Sequence, residues 1–181
     1  MSADELQELH EHAEHAAHNP SMAPVSLSMA ILAVVVAVVT LLSHRAHTEE
    51  VVLQSRANDK WSYYQAKDIR LHADRNFADF AGFVTATDYA KAQKARQDFL
   101  AEADKYQKQT DEIQADAKNL EAETDLERRR ANRYDLGEVF LEIGLVVTSI
   151  TLLSGRRVFW HAGILLGVAG VVAAATSLFV K

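Results

Sequence analysis

Apolar and polar positions are unevenly distributed along the chain. Residues 25–42, VSLSMAILAVVVAVVTLL, carry no charge, and the run stops at Ser43, His44 and Arg45. At ~1.5 Å of rise per residue, about 18 helical residues nearly cross a ~30 Å hydrocarbon core. Two further apolar runs, 136–153 and 158–180, close the chain. Only Ser154, Gly155, Arg156 and Arg157 separate them, which is room for a tight turn. A soluble protein would have to bury such two-sided apolar helices in a core. Three separate runs in a short chain point instead to lipid.

The middle of the chain, 43–135, is densely charged, has no Pro and only one Gly, Gly82. Its apolar positions have helical spacing. Leu53, Ala57, Trp61 and Tyr64 follow one another at four, four and three residues. Phe77, Phe80, Phe83 and Val84 end this outgoing arm, and Thr85 or Thr87 can cap the returning helix. On the return arm, Phe99, Tyr106, Ile113 and Leu120 recur every seven residues, with Ala103, Thr110, Ala117 and Thr124 four residues after each. That is a seam of alternating large and small layers, able to pack on the outgoing arm or on a second copy. Trp61, Tyr63 and Tyr64 suit a contact between arms better than a ligand face.

The expected fold is therefore all-α. It is an integral membrane protein with three transmembrane helices and a long, coiled-coil-like helical hairpin between the first and second. The segments are a His-rich acidic tail (1–24), a first span (25–42), the hairpin (43–135), a second span (136–153) and a third (158–180). The arms differ in length: about 42 residues run from Ser43 to a turn near Thr85, and about 50 return to Leu136, a difference of ~12 Å. Either 84–92 adds a turn at the tip, or the basic segment 128–133 lies along the membrane surface.

Small residues mark the spans. Gly163, Gly167, Gly170 and Ala174 fall at four, three and four residues, and Gly137 and Gly144 are seven apart. Such rows let helices approach closely in lipid. Near the membrane, the hairpin side carries Arg45, Arg128, Arg129, Arg130 and Arg133, and the other side Arg156 and Arg157. The positive-inside rule then places the hairpin in the cytoplasm and the N-terminus outside. Residues 1–24 lack Lys and Arg and do not read as a signal peptide, so the first span is expected to be retained.

Composition narrows the chemistry. The chain has no Cys, which excludes disulfides, thiolate nucleophiles and Cys-ligated metal. A net charge of -6 speaks against nucleic acid as a partner. No phosphate loop, nucleophile elbow or HExxH pattern is present, so no enzyme activity and no cofactor are expected. Two groups of residues invite a functional question. His10, His12, His15 and His18 make the tail a candidate metal ligand set, although their spacing spreads the rings around a helix; the plainer alternative is a solvated tail. Glu138 and Glu142 stand one turn apart inside the second span, with Asp135 just before them. They can pair with His44, Arg45 or the arginines of 128–133, or act as a proton- or cation-binding pair.

The segments LLSHRAHTEEVVLQ and DKWSYYQAKDIR, at the end of the first span and beyond it, resemble the bacterial membrane proteins grouped as the domain of unknown function 4337 family. The tail, first span, arm and two closing spans match that layout over essentially the whole chain. The resemblance implies a bacterial inner-membrane protein with no assigned activity and supplies no catalytic or binding residues. The expected function is a non-enzymatic, self-associating scaffold or accessory protein, with the bilayer and a second copy of itself as partners. The alternative is a subunit of a proton- or cation-conducting or sensing assembly using Glu138 and Glu142. For the tail, metal binding predicts saturable heat and proton release when zinc is titrated at neutral pH, because imidazole ligates only when neutral. A solvated tail predicts no heat.

Overall fold

The computed structural model describes residues 22–83 and 89–180. Among these residues every long element is helical. Helix α1 is Ala23–Phe83, α2 is Tyr89–Ser154, and α3 is Arg157–Ala175, followed by a 3₁₀ turn, Thr176–Phe179. All three helices are long and apolar enough to cross a membrane. The chain divides into two compact units. A bundle unit draws on the chain up to Thr48 and from Leu126 onward; a hairpin unit is Glu49–Asp125.

In the bundle unit, α1 starts with Pro24 in its first turn, where the missing N–H costs no helical hydrogen bond. Val25, Met29, Val36, Val39, Ser43 and Ala46 are buried, one helical face of the run. Leu27, Ile31, Val34, Val38 and Leu41 form the opposite stripe and are exposed. Only 22%, 33% and 28% of the most apolar windows of the three helices are buried within the chain. The remainder faces outward, which suits lipid and not a soluble core.

Close approach of backbones holds α2 and α3 together. A Cβ on Gly144 would stand 2.8 Å from the Gly163 carbonyl oxygen, and one on Gly163 would stand 2.6 Å from the Gly144 oxygen. Two helical turns away, a Cβ on Gly137 would meet the Gly170 oxygen at 2.8 Å. Gly167 instead accommodates Leu32 of α1, whose Cδ2 would lie 2.5 Å from an added Cβ. Both glycine rows are thus used within the chain, as their spacing predicts. Gly155, at φ 67, supplies the left-handed residue that ends α2 and allows the short turn into α3; its N–H bonds the Thr151 carbonyl at 2.9 Å. At the same end, the Trp160 indole N–H donates to Ser28 Oγ at 2.8 Å and ties α3 to α1.

In the hairpin unit the two helices run antiparallel. Lys60 pairs with Asp116 at 2.8 Å, and the Trp61 indole donates to Glu121 at 2.8 Å. Further along, Lys67 lies over Tyr106, Arg75 donates to Gln107, and Phe77 stacks on Phe99 at 5.5 Å. Leu53, Ala57, Leu71 and Ala78 of α1 are buried, with Tyr64 half-buried between them. Facing them, the small layer Ala103, Thr110, Ala117 and Thr124 is buried, and of the large layer Ile113 is buried while Phe99, Tyr106 and Leu120 are half-buried. The small residues bring the helices close, and the larger ones flank that line. Thr110 and Thr124 return their hydroxyls to their own helix, at the carbonyls of Gln107 (2.8 Å) and Leu120 (2.7 Å), so neither leaves a buried donor unpaired.

The difference in arm length is absorbed at the tip. Residues 128–133 belong to α2 with no break, so they do not lie along a surface apart from the helix. By the Phe77–Phe99 register, the end of α1 at Phe83 lies level with a point past the first turn of α2. That first turn, beginning at Tyr89, is the extra turn. Thr85 and Thr87 lie outside the described residues.

The glycine contacts make a paired prediction. Gly163→Ala forces backbone against backbone and should destabilise the protein by roughly 1–3 kcal/mol. Gly82→Ala meets nothing nearer than Arg96 Nε at 3.7 Å, so the added helix propensity should leave stability unchanged or raise it by up to ~1 kcal/mol. Thermal unfolding of both variants in one detergent checks the contrast.

Candidate functional site

The polar residues of the bundle unit converge where α1 and α2 face one another. Thr40, Ser43 and His47 share one face of α1, at offsets of three and four residues. Asp135, Glu138 and Glu142 repeat the same offsets on α2. Because the helices are antiparallel, the two rows meet in reverse order. The Thr40 hydroxyl donates to Glu138 Oε1 at 2.6 Å. The buried Ser43 hydroxyl donates to Asp135 Oδ1. His47 Nε2 approaches Asp135 Oδ2 at 3.0 Å, a contact that is ionic when the imidazole is protonated.

The row stops at Glu142. One turn before Thr40 on α1 the residue is Val36, buried and without a donor. Val36 and Val39 pack with Leu141 and Ala174 in an apolar cluster at this level. Glu142 is half-buried and has no hydrogen bond or ion pair among the described residues. Three carboxylates on one face of α2 therefore have unequal partners: a serine with a histidine, a threonine, and none among the described residues.

The expected cations are elsewhere. His44 and Arg45 are exposed, and among the described residues neither bonds a carboxylate of the second span. Arg130 pairs with Glu127 of its own helix at 2.5 Å. His161 lies tilted beside Trp160 at the far end of the bundle, with ring centroids 5.0 Å apart. The structure thus brings Glu138 to Thr40 instead of to His44 or Arg45, and leaves Glu142 unpaired among the described residues. Rotation of α1 explains this. Ser43 lies on the inward face, so His44 and Arg45, one and two residues on, turn outward.

Thr40 and Ser43 are the site residues that charge-based reading overlooked. The signal was present as matching offsets on two antiparallel runs, but a hydroxyl is a less conspicuous partner for a carboxylate than an arginine. His10, His12, His15 and His18 lie outside the described residues. Among the described residues no group of three or more His, Asp or Glu is arranged to hold a metal ion.

The family model described as a domain of unknown function, DUF4337, matches residues 21–180. No curated protein and no solved structure matches the chain significantly.

The unequal partners predict unequal substitution effects. Thr40→Val removes the donor to a half-buried carboxylate and should cost ~1–3 kcal/mol, with Thr40→Ser recovering most of it. Glu142→Gln loses no cation contact and should stay within ~0.5 kcal/mol of wild type. Thermal melts of the three variants in one detergent provide the comparison; a marked loss in Glu142→Gln would mean that an ionised Glu142 anchors the bundle.

Proposed function

The chain belongs to the DUF4337 family, for which no function is described, and from that premise we propose that it is a non-enzymatic scaffold of the bacterial inner membrane that self-associates through the end of its hairpin. The observation that carries this reading is an aromatic surface left over once the internal seams are filled. Both glycine rows and the small layer of the return arm are covered by the chain itself. Phe80, Phe83 and Tyr89 are not: they are 67%, 86% and 73% exposed. Exposed aromatics clustered on a polar helix pair are characteristic of contact surfaces. Ile69 and Phe80 stand on the same helix face as Phe83, which extends the surface along α1. A second copy of the same chain offers the same surface, and a two-fold pairing of hairpin ends would cover both. The seven-residue repeat further favours coiled-coil packing of the hairpin helices, and the arginine distribution favours a cytoplasmic hairpin with the N-terminus outside.

Glu142 supports a second reading, a subunit of a proton- or cation-responsive assembly. An ionisable group inside an apolar span with no partner among the described residues is a candidate carrier. On that reading Glu142→Gln abolishes a proton- or cation-dependent response while folding and association persist.

The absence of native Cys makes self-association directly testable. Asn76 is exposed and lies seven residues before Phe83 on the same face. Asn76→Cys should give a disulfide-linked dimer when membranes are oxidised, and Phe80→Ser with Phe83→Ser should abolish it. No cross-link, together with a strictly monomeric particle in native mass spectrometry at every concentration, would overturn the scaffold reading.

A further inference from the structure

We infer that the bundle unit carries a headgroup site for an anionic phospholipid, in the cleft where the second span begins and the third ends. The cleft has a volume of about 740 Å³ and lies between α2 and the 3₁₀ turn. Arg129, Asn132 and Arg133 line its α2 side, and Thr176 and Phe179 line the other, with Leu136 also in the wall. No carboxylate is among the residues that line it.

The arrangement has the layered chemistry of a phospholipid. Arg129 and Arg133 are four residues apart and project from one helix face, so both guanidinium groups can reach one phosphodiester. Guanidinium donors match phosphate oxygens in pairs, which an ammonium does not. The Asn132 amide adds neutral donors beside them. Thr176 gives its hydroxyl hydrogen to the Ala173 carbonyl at 2.6 Å, so its oxygen is left as an acceptor, suited to a headgroup hydroxyl. Leu136 and Phe179 are apolar and exposed, so the cleft joins a cationic rim to an apolar wall, as a charged headgroup and its acyl chains require. Basic recesses between membrane helices, at the boundary of the hydrocarbon, suit anionic headgroups.

A free phosphate shares the anionic part of this chemistry but not the rest. It would use the arginines and leave Leu136 and Phe179 in water. The combination of paired guanidinium groups with an apolar wall therefore favours the lipid. The site does not depend on self-association, nor on which side of the membrane the hairpin occupies.

The full-length protein in native mass spectrometry provides the test, titrated with dioleoylphosphatidylglycerol, dioleoylphosphatidylcholine and inorganic phosphate. Phosphatidylglycerol should be retained over phosphatidylcholine by about fivefold for each arginine engaged. Arg133→Gln should reduce that preference about fivefold, whereas Arg156→Gln, with the same charge change at the other end of the bundle, should leave it unchanged. Arg129→Gln is the parallel variant, and either rim variant that keeps the wild-type melting temperature in phosphatidylcholine is read. A measurement without any variant is the wild-type melting temperature in nanodiscs of the two lipids. A ligand bound only by the folded state raises it, so it should be higher in phosphatidylglycerol. Equal retention of the two lipids, an unchanged preference in the rim variants, equal melting temperatures, or displacement of the lipid by inorganic phosphate would each overturn the inference.

Discussion

The contact between the backbones of α2 and α3 at Gly137, Gly144, Gly163 and Gly170 sets the rest of the bundle. Where one helix has no Cβ and the other presents a carbonyl, the helices can neither rotate nor slide without separating. That fixes which face of α2 is left for α1. Gly137, Gly144 and Thr148 turn toward α3, while Asp135 and Glu138 turn toward α1. Placement of the carboxylates is thus a consequence of the glycines, and α1 is fitted to them with hydroxyls on its inner face.

Hydroxyl donors solve a problem that cations would solve less cheaply. An arginine brought to Glu138 would have to be desolvated, and several kcal/mol of that cost is recovered only in a nearly ideal geometry. A threonine is already in the helix, has little side-chain freedom to lose and supplies one donor. The same economy operates in the hairpin seam, where Thr110 and Thr124 satisfy themselves against their own backbone. In both units Ser and Thr occupy the face turned toward the partner helix, with their hydroxyls bonded.

Much of this was legible in the residues. Unbroken apolar runs carried the three helices long enough to cross a membrane, and periodicity carried both glycine rows and the two layers of the return arm, because each is a statement about one helix and its faces. The partner of a carboxylate is a statement about two helices, and requires their register and rotation. Nearness along the chain pointed from Glu138 to Arg45, yet the inward position of Ser43 turns Arg45 away. The arm-length difference was also visible as a number, and its resolution at the tip required the stack of Phe77 on Phe99. Family membership was legible in the strings around His44 and Trp61, and the match over 21–180 bears it out.

The bond from Trp160 to Ser28 joins positions 132 residues apart. Chains emerge from the ribosome N-terminus first, at ~5–20 residues per second, so the first helix is complete well before its partner exists. The inner face of that helix, mostly Val, Leu and Met, would meet acyl chains in a bilayer at little penalty, and Ser28 can bond its own backbone, as it does to the Val25 carbonyl at 2.8 Å. The opening helix is thus built to wait. Its companions are made later, and Ser28 has a bond to make both before and after Trp160 arrives.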